Sequence, residues 1–186
     1  MRDEEGRAAA PRGRNRKEAS EMAPTRNWFS NMLPMDSALG YQGLSFPTVE
    51  HFYQAMKLRK DDVAGRAVIA ALRSPFEAKR ACNTARLERE GRLREDWHDV
   101  RLAVMEFALR QKFARGTSWH RKLMATEGEI VEWNTWSDSW WGKDERTGEG
   151  ANHLGRILMT IRAEGRSGQR ETRRRRRPSP GPRRGS

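Results

Sequence analysis

Apolar residues recur at helical spacing in the second half of the chain, and this pattern predicts the core of the protein. At 97–114 they form two separate stripes, three or four residues apart. A helix that is apolar on two sides lies at the centre of a core, so we expect this to be the longest helix, capped by Asp96. A last helix is expected near 152–162, where Leu154 is followed by apolar residues at the same spacing.

Capping signals predict shorter helices ahead of the central one. Thr48 begins a helix that we expect to reach about Arg59, with Glu50 in the first turn, where the helix dipole favours an anion. Ser74 begins a capping box with proline at the first helical position. Two further short helices are expected at 63–72 and 118–124.

Short extended segments complete the predicted fold. Residues 27–46 alternate loosely between apolar and polar positions and contain Pro34 and two glycines, a pattern of short strands or an extended lid rather than of a helix. Residues 129–132 form a second candidate strand. We therefore predict an α+β fold that is predominantly helical, a single domain with small β elements.

The positive charge of the chain lies almost wholly outside this domain. Of the formal net charge of +12 over 186 residues, residues 165–186 hold +8 and residues 1–26 hold +2, which leaves +2 for residues 27–164. We predict a domain at 27–164 between two disordered tails. The arginine run at 173–177 can bind phosphates by counterion release and so contact nucleic acid; the alternative is a solvated tail that keeps the domain soluble.

The composition also indicates the cellular compartment in which the protein is expected. The first 26 residues hold no apolar stretch, which argues against a signal peptide or a membrane anchor. Cys82 is the only cysteine, so no disulfide forms within the chain and a cytoplasmic location is expected. The four histidines are scattered along the sequence, and we predict no structural metal site.

The densest chemical signal lies at 137–142, where a carboxylate stands among tryptophans, and a glycine-rich turn follows at 148–155. Indole rings exclude water and offer flat faces to a planar ligand, and glycines let the backbone approach a sugar or a phosphate. Asp138 is the group there that can carry charge chemistry, although it could equally cap a turn. The glycines match neither a dinucleotide fingerprint nor a nucleotide-hydrolase loop. We therefore predict a ligand pocket.

Two upstream residues are candidates for the same pocket, and each has a simpler explanation. Glu50 either complements the helix dipole or serves as a second acid. Trp97 is either a core aromatic or a stacking face. Two acids with stacking aromatics suit cleavage of a bond between a sugar carbon and a nitrogen, because one carboxylate stabilises the oxocarbenium-like centre while the other activates water or protonates the departing base. The residues permit this chemistry without demanding it.

Several blocks, taken in order, resemble the NADAR (YbiA-like) family over about residues 28–164. The blocks are Phe29-Ser30-Asn31, Phe46 to Lys57, Ser74 to Lys79, Asp96-Trp97, Met105, Lys112-Phe113, Ile130 to Glu132, Asp138-x-x-Trp141-Gly142 and Gly150-x-Asn152-x-Leu154-Gly155-x-x-Leu158-Met159. The resemblance implies a mostly helical α+β fold and an N-glycosidase that needs no metal or other cofactor. Members of the family hydrolyse ribosylamino-pyrimidine phosphates of riboflavin biosynthesis, and others remove ADP-ribose from guanine in nucleic acid.

The resemblance also implies roles for individual residues. Glu50, Asp138 and Trp97 are the expected catalytic residues. The two carboxylates would share acid–base work and oxocarbenium stabilisation, with the water-activating one left open, while the indole stacks on the base or the ribose. The expected substrate-binding residues are Asn31, Lys57, Trp141, Gly150, Asn152 and Gly155. Among these, Lys57 is the expected partner of a substrate phosphate.

Two classes of function remain at this point. The first is an N-glycosidase acting on a ribosylated nitrogen base, with the small phosphorylated pyrimidine placed ahead of ADP-ribosylated guanine. The second is a non-catalytic module that binds ADP-ribose or an NAD-like ligand. The presence of both Glu50 and Asp138 favours catalysis, because binding of an anionic ligand gains little from two carboxylates. Expected partners are the ribosyl substrate and, through the C-terminal tail, nucleic acid, but no membrane; no oligomeric state is predicted.

Overall fold

The computed structural model describes residues 28–135 and 138–176. Within them lie seven helices and four strands, which confirms the predicted α+β, mostly helical class. In chain order they are β1 (Pro34–Tyr41), β2 (Leu44–Thr48), α1 (Val49–Ala55), α2 (Val63–Ala70), α3 (Pro75–Ala81), α4 (Thr84–Arg89), α5 (Trp97–Lys112), α6 (Ser118–Ala125), β3 (Trp133–Asn134), β4 (Lys143–Asp144) and α7 (His153–Arg176). The predicted tails at 1–26 and from 177 onward lie outside the described residues.

Strands β1 and β2 form an antiparallel hairpin in the region where short strands were predicted. Gln42 and Gly43 connect the strands with positive φ angles of 49° and 75°, the conformation that a tight hairpin turn requires. Leu39 pairs with Phe46, and both side chains are buried. The hairpin therefore closes one side of the core and leads directly into α1.

Helix α1 occupies the centre of the molecule, and all seven of its residues are buried. Thr48 caps it as predicted, since its hydroxyl accepts the backbone N–H of His51 at 3.2 Å. The helix ends at Ala55 rather than near Arg59. The reason is a competing pairing: the N–H of Arg59 donates to the carbonyl of Arg92, and the carbonyl of Lys57 accepts from Arg94.

Helix α5 crosses α1 and also packs on β1 and α7. It begins at Trp97 as predicted, but the Asp96 side chain does not cap it. The Asp96 carboxylate instead accepts from Arg94 at 2.6 Å and pairs with Lys60 at 3.0 Å. Asp96 therefore occupies the predicted N-cap position, but its side chain makes no capping hydrogen bond because two neighbouring cations bind its oxygens.

Helix α7 is longer than predicted and is the longest helix among the described residues, at 24 residues. It continues to Arg176 instead of ending near residue 162, so the segment 165–176, which was expected to be disordered, is helical here. Arg162 and Arg166 supply one reason, because their guanidinium groups donate to the carbonyl of Thr126 at 3.2 and 2.5 Å. The end of the domain at residue 164 stays a prediction.

Two further elements differ from the sequence analysis. Helix α4 was not predicted, although Asn83 caps it by accepting the N–H of Arg86 at 3.0 Å. Residues 129–132 form no strand; the pairing lies just beyond them, where β3 runs parallel to β4. No helix in the described part of the chain combines the length and apolar character needed to cross a membrane.

Candidate functional site

Glu50 lies in the first turn of α1 with only 6% of its surface exposed. Its backbone N–H donates to the carbonyl of Asn31 at 3.0 Å, which attaches the segment before the hairpin to the start of the helix. One turn further along α1, Gln54 Nε2 donates to Glu50 Oε1 at 2.7 Å. Burial raises the pKa of the Glu50 carboxyl, and the negative charge of Asp138 acts in the same direction.

Lys57 follows Glu50 two turns along the chain and is also buried. Its Nζ donates to the carbonyl of Cys82 at 3.1 Å and lies 5.4 Å from the ring centre of Tyr53. Burial lowers the pKa of the Lys57 ammonium, while the charge of Glu50 opposes this shift. The ammonium therefore lies near the faces of the Tyr53 and Trp97 rings, and its role as the partner of a substrate phosphate stays a prediction.

Three aromatic rings form a wall beside these groups. The centre of the Tyr53 ring lies 5.0 Å from that of Trp97 and 5.6 Å from that of Trp141, the second contact being edge to face. Trp97 is 2% exposed, so the observed role of its indole is to support Tyr53. Its stacking on a ligand stays a prediction. Trp141 is half-buried and is the more open of the two indoles.

Asp138 lies in the loop between β3 and β4. Its Oδ1 accepts the N–H groups of Trp140 and Trp141 at 3.2 and 2.9 Å, so it does cap a turn. Asn134 holds the residue in place, because its side chain both accepts from the N–H and donates to the carbonyl of Asp138. The charge of Asp138 also raises the pKa values of Glu50 and Glu132. Asp138 therefore caps a turn, and the same carboxylate is placed to act on the neighbouring acids.

Glu132 is a third acid that the sequence analysis did not single out. Burial, followed by the charges of Asp138 and Glu50, raises the pKa of its carboxyl to about 7. A group with such a pKa can hold or release a proton near neutral pH. The available signal was an acidic residue after two β-branched ones, Ile130 and Val131, a pattern that was interpreted only as a strand.

Asn152 fixes the backbone that carries Glu132. It is buried with a positive φ of 51°, and its side chain accepts from the N–H of Glu132 at 3.1 Å and donates to the carbonyl of Ile130 at 2.9 Å. Gly155 is close-packed on the same segment, since an added Cβ would lie 2.1 Å from the Ile130 carbonyl oxygen. These contacts are all to protein backbone, and substrate contact by Asn152 and Gly155 stays a prediction.

Gly150 is required where the loop meets itself. Its φ is +143°, and an added Cβ would lie 2.2 Å from the carbonyl oxygen of Gly142. Gly142 in turn would bring a Cβ to 2.1 Å from the carbonyl oxygen of Glu132. The glycines thus allow the loop segments around Glu132, Gly142 and Gly150 to pack closely against one another. A direct contact of Gly150 with substrate stays a prediction.

Two buried oxygens near Glu50 have no hydrogen-bond partner among the residues that the structure describes. They are Oε1 of Gln54 and Oδ1 of Asn31, whose amide nitrogens donate to Glu50 and to the sulfur of Met105 respectively. Buried acceptors are almost always paired in folded proteins, so these two oxygens are candidates for a hydrogen bond from a ligand. Contact of Asn31 with substrate stays a prediction. Gln54 was not predicted, although it follows Glu50 by one helical turn.

Cavities and metal-ligating clusters add little to this picture. Glu50, Glu132 and Asp138 are referred to below as the acidic cluster. A surface depression of about 300 Å³ between residues 59–61 and 94–96 shares no residue with it. A second depression, of about 410 Å³, is lined partly by Lys79, whose charge acts on Glu50 and Glu132. No group of three or more acidic, histidine or cysteine side chains in 28–135 and 138–176 is arranged to hold a metal ion.

Comparisons with known proteins agree on one family. The NADAR domain matches residues 15–166 of the chain. An N-glycosidase from Nostoc punctiforme is 34% identical over 139 residues, which cover 73% of this chain and 83% of that protein. The N-glycosidase YbiA from Escherichia coli is 35% identical over 122 residues, which cover 66% of this chain and 72% of that protein.

A structure and a longer relative complete the comparison. The NMR structure of Escherichia coli YbiA superposes with a TM-score of 0.62 at 32% identity, over 77% of this chain and 80% of that one. A riboflavin biosynthesis protein from Vibrio vulnificus is 40% identical over 124 residues, which cover 66% of this chain. The match spans only 31% of that longer protein.

Proposed function

The chain belongs to the NADAR family, and from the cluster formed by buried Glu50 and half-buried Glu132 and Asp138 we propose that it is an N-glycosidase that hydrolyses the bond between ribose and a nitrogen base. The observation that carries the proposal is the convergence of Glu50, from α1, and Asp138, from a distant loop. The charge of Asp138 raises the pKa of Glu50 even though the two residues lie far apart in the sequence. Relatives named as N-glycosidases support the same conclusion.

In the proposed reaction the three acids have different roles. As the bond to the base breaks, positive charge develops on the ribose ring, and the Asp138 carboxylate stabilises it. Glu50, whose pKa burial raises, activates the attacking water or protonates the departing nitrogen. Glu132, with a pKa of about 7, provides a second proton carrier in the same cluster. Tyr53 and Trp141 exclude water from one side of the site.

The proposed first substrate is a small phosphorylated ribosylamino-pyrimidine. Relatives named as riboflavin biosynthesis proteins in Vibrio vulnificus and Zea mays support this choice. ADP-ribose attached to guanine is the second candidate, and the arginine run at 173–177 favours it, because such a run binds nucleic acid. A module that only binds ADP-ribose is disfavoured by three acids near one another, since carboxylates repel an anionic ligand.

The test compares wild type with Glu50→Gln and Asp138→Asn on both substrates, following release of ribose 5-phosphate or ADP-ribose. Each amide keeps the size of the side chain but cannot carry a proton or a full negative charge. We expect kcat to fall by about 10²–10⁴-fold in either variant. Glu88→Gln is the matched control, because Glu88 is an exposed acid on α4. Absence of release by wild type from both substrates would refute the proposal, and full activity in both variants would refute the assignment of the acids.

A further inference from the structure

Arg101 lies on the face of α5 that borders the site. Helical neighbours four residues apart share a face, so Arg101 stands between Trp97 and Met105. Trp97 contacts Tyr53, and the sulfur of Met105 accepts from the Asn31 amide at 3.4 Å. The two flanking side chains thus both touch residues that surround Glu50, which places the guanidinium beside the same site.

The guanidinium of Arg101 is held in position but has no anionic partner in the described part of the chain. It stacks on the indole of Trp140, with 3.6 Å between the guanidinium carbon and the ring centre. Its Nε is buried without a hydrogen-bond partner, and no carboxylate among the described residues pairs with it. Arg94 and Arg110, in contrast, pair with Asp96 and Glu164.

A second unpaired donor lies in the same stack. The indole Nε1 of Trp140 is also buried and has no hydrogen-bond partner within 28–135 and 138–176, and the His153 ring packs 4.4 Å from the Trp140 ring. Burial, followed by the charges of Arg156 and Arg101, lowers the pKa of His153, which disfavours a second positive charge beside Arg101. Two unpaired buried donors in one stack favour a ligand that is rich in acceptors.

We propose that Arg101 and the Trp140 N–H bind a phosphate group of the substrate beside the acidic cluster. A guanidinium presents two parallel N–H donors that match two phosphate oxygens, and stacking on an indole fixes its plane without using those donors. The half-buried position strengthens the attraction relative to an exposed lysine. The proposal rests on the proposed function, because it assigns a substrate group to that site, and the same chemistry serves a terminal ribose phosphate or the diphosphate of ADP-ribose.

Binding measurements separate the phosphate from the rest of the ligand. Wild type, Arg101→Met, Arg101→Lys and the control Arg89→Met are titrated with ribose 5-phosphate, ribose and ADP-ribose by calorimetry, with circular dichroism to verify folding. Arg89 is an exposed cation on α4. We expect Arg101→Met to bind ribose 5-phosphate at least tenfold more weakly, Arg101→Lys to lose less, and Arg89→Met to match wild type. Equal affinity of wild type and both Arg101 variants for the two phosphorylated ligands overturns the proposal. A larger loss on ADP-ribose than on ribose 5-phosphate assigns the site to a diphosphate.

Kinetics distinguish failure of this proposal from failure of the proposed function. The ratio of kcat/KM for the phosphorylated ribosylamino-pyrimidine to that for its dephosphorylated form should fall at least tenfold in Arg101→Met, chiefly through KM. A smaller fall is expected in Trp140→Phe, which keeps the ring and loses the N–H. An equal loss on both substrates overturns the phosphate assignment while the glycosidase stands. Binding that depends on Arg101, without cleavage of any N-riboside by wild type, supports the phosphate site and refutes the glycosidase.

Discussion

The two halves of the acidic site are built in different ways. One half is helical: Glu50 and Gln54 lie one turn apart on α1, and Trp97 and Arg101 lie one turn apart on α5. The other half is the loop at 129–142, which carries Glu132 and Asp138 and in which the described residues form only the two-residue strand β3. The helical half is placed by core packing, since every residue of α1 is buried.

The loop half depends instead on a few side chains that bind backbone. The Asn152 side chain accepts a hydrogen bond from the N–H of Glu132. The Asn134 side chain accepts from the N–H of Asp138 and donates to its carbonyl. A packed helix distributes its restraint over many contacts, whereas each of these amides supplies hydrogen bonds that nothing else replaces. We therefore expect changes in the loop amides to affect activity more than stability, and changes on the helices to be tolerated better.

Among changes to residues that hold the acids in place, the largest effect is expected from Asn152→Ala. The variant loses the hydrogen bonds to Glu132 and Ile130, so the acid-bearing segment shifts and kcat/KM should fall about 100-fold, as misplacement by about 1 Å does elsewhere. Stability should fall by only about 1–3 kcal/mol. Steady-state kinetics and thermal unfolding measure the two quantities.

Two further variants separate loss of the Asn152 amide from general destabilisation and from a backbone effect. Asn83→Ala removes the cap of α4 and should cost about 1 kcal/mol without loss of activity. Asn152→Gly tolerates the positive φ but lacks the amide, so it should be as inactive as Asn152→Ala. If Asn152→Gly keeps wild-type activity, the backbone conformation rather than the amide positions Glu132, and the contrast between the two halves fails.

The helical half was largely predictable from the sequence, and the loop half was not. Thr48, Ser74 and the apolar spacing at 97–114 are local signals, and the structure confirms the helices that they predict. The end of α1 was missed because it is set by a pairing with residues 92–94, which no local pattern reveals. Glu132 was missed for a related reason: its pKa depends on charges from Asp138 and Glu50, which only the fold brings together.

The next prediction concerns the pH dependence of the free energy of unfolding, to which Glu132 contributes. Its pKa is about 7 in the folded state against 4.5 as a free side chain, so the folded protein binds more protons than the unfolded chain between these values. The stability that this carboxyl contributes is complete below about pH 4.5 and is lost as pH rises to 7. Because burial is incomplete, we expect a loss of about 1–3 kcal/mol across this window. Urea unfolding of wild type and Glu132→Gln at pH 4.5, 6 and 7.5 measures it.

Glu132→Gln separates this group from the other acids of the protein. The amide does not titrate, so the difference between the two proteins should favour Glu132→Gln progressively as pH rises from 4.5 to 7.5. Glu129→Gln, an exposed acid in the same loop, should follow the wild-type curve. Parallel curves for wild type and Glu132→Gln would show that the Glu132 carboxyl is solvated and that the loop acids lie further apart.

The smallest effect is expected in the helical half, from Gln54→Leu. The Gln54 amide donates to Glu50 and lowers its pKa, so its removal raises that pKa further. If turnover needs the Glu50 carboxylate, the acidic limb of the pH–kcat/KM profile moves to higher pH, with about a tenfold loss at acidic pH and recovery as pH rises. Packing keeps the helix in place, so thermal stability should change less than in the loop variants. Gln111→Leu, a glutamine elsewhere on α5, is the matched control and should leave the profile unchanged. A uniform loss at every pH would mean that Gln54 acts through its unpaired oxygen on the substrate rather than through Glu50.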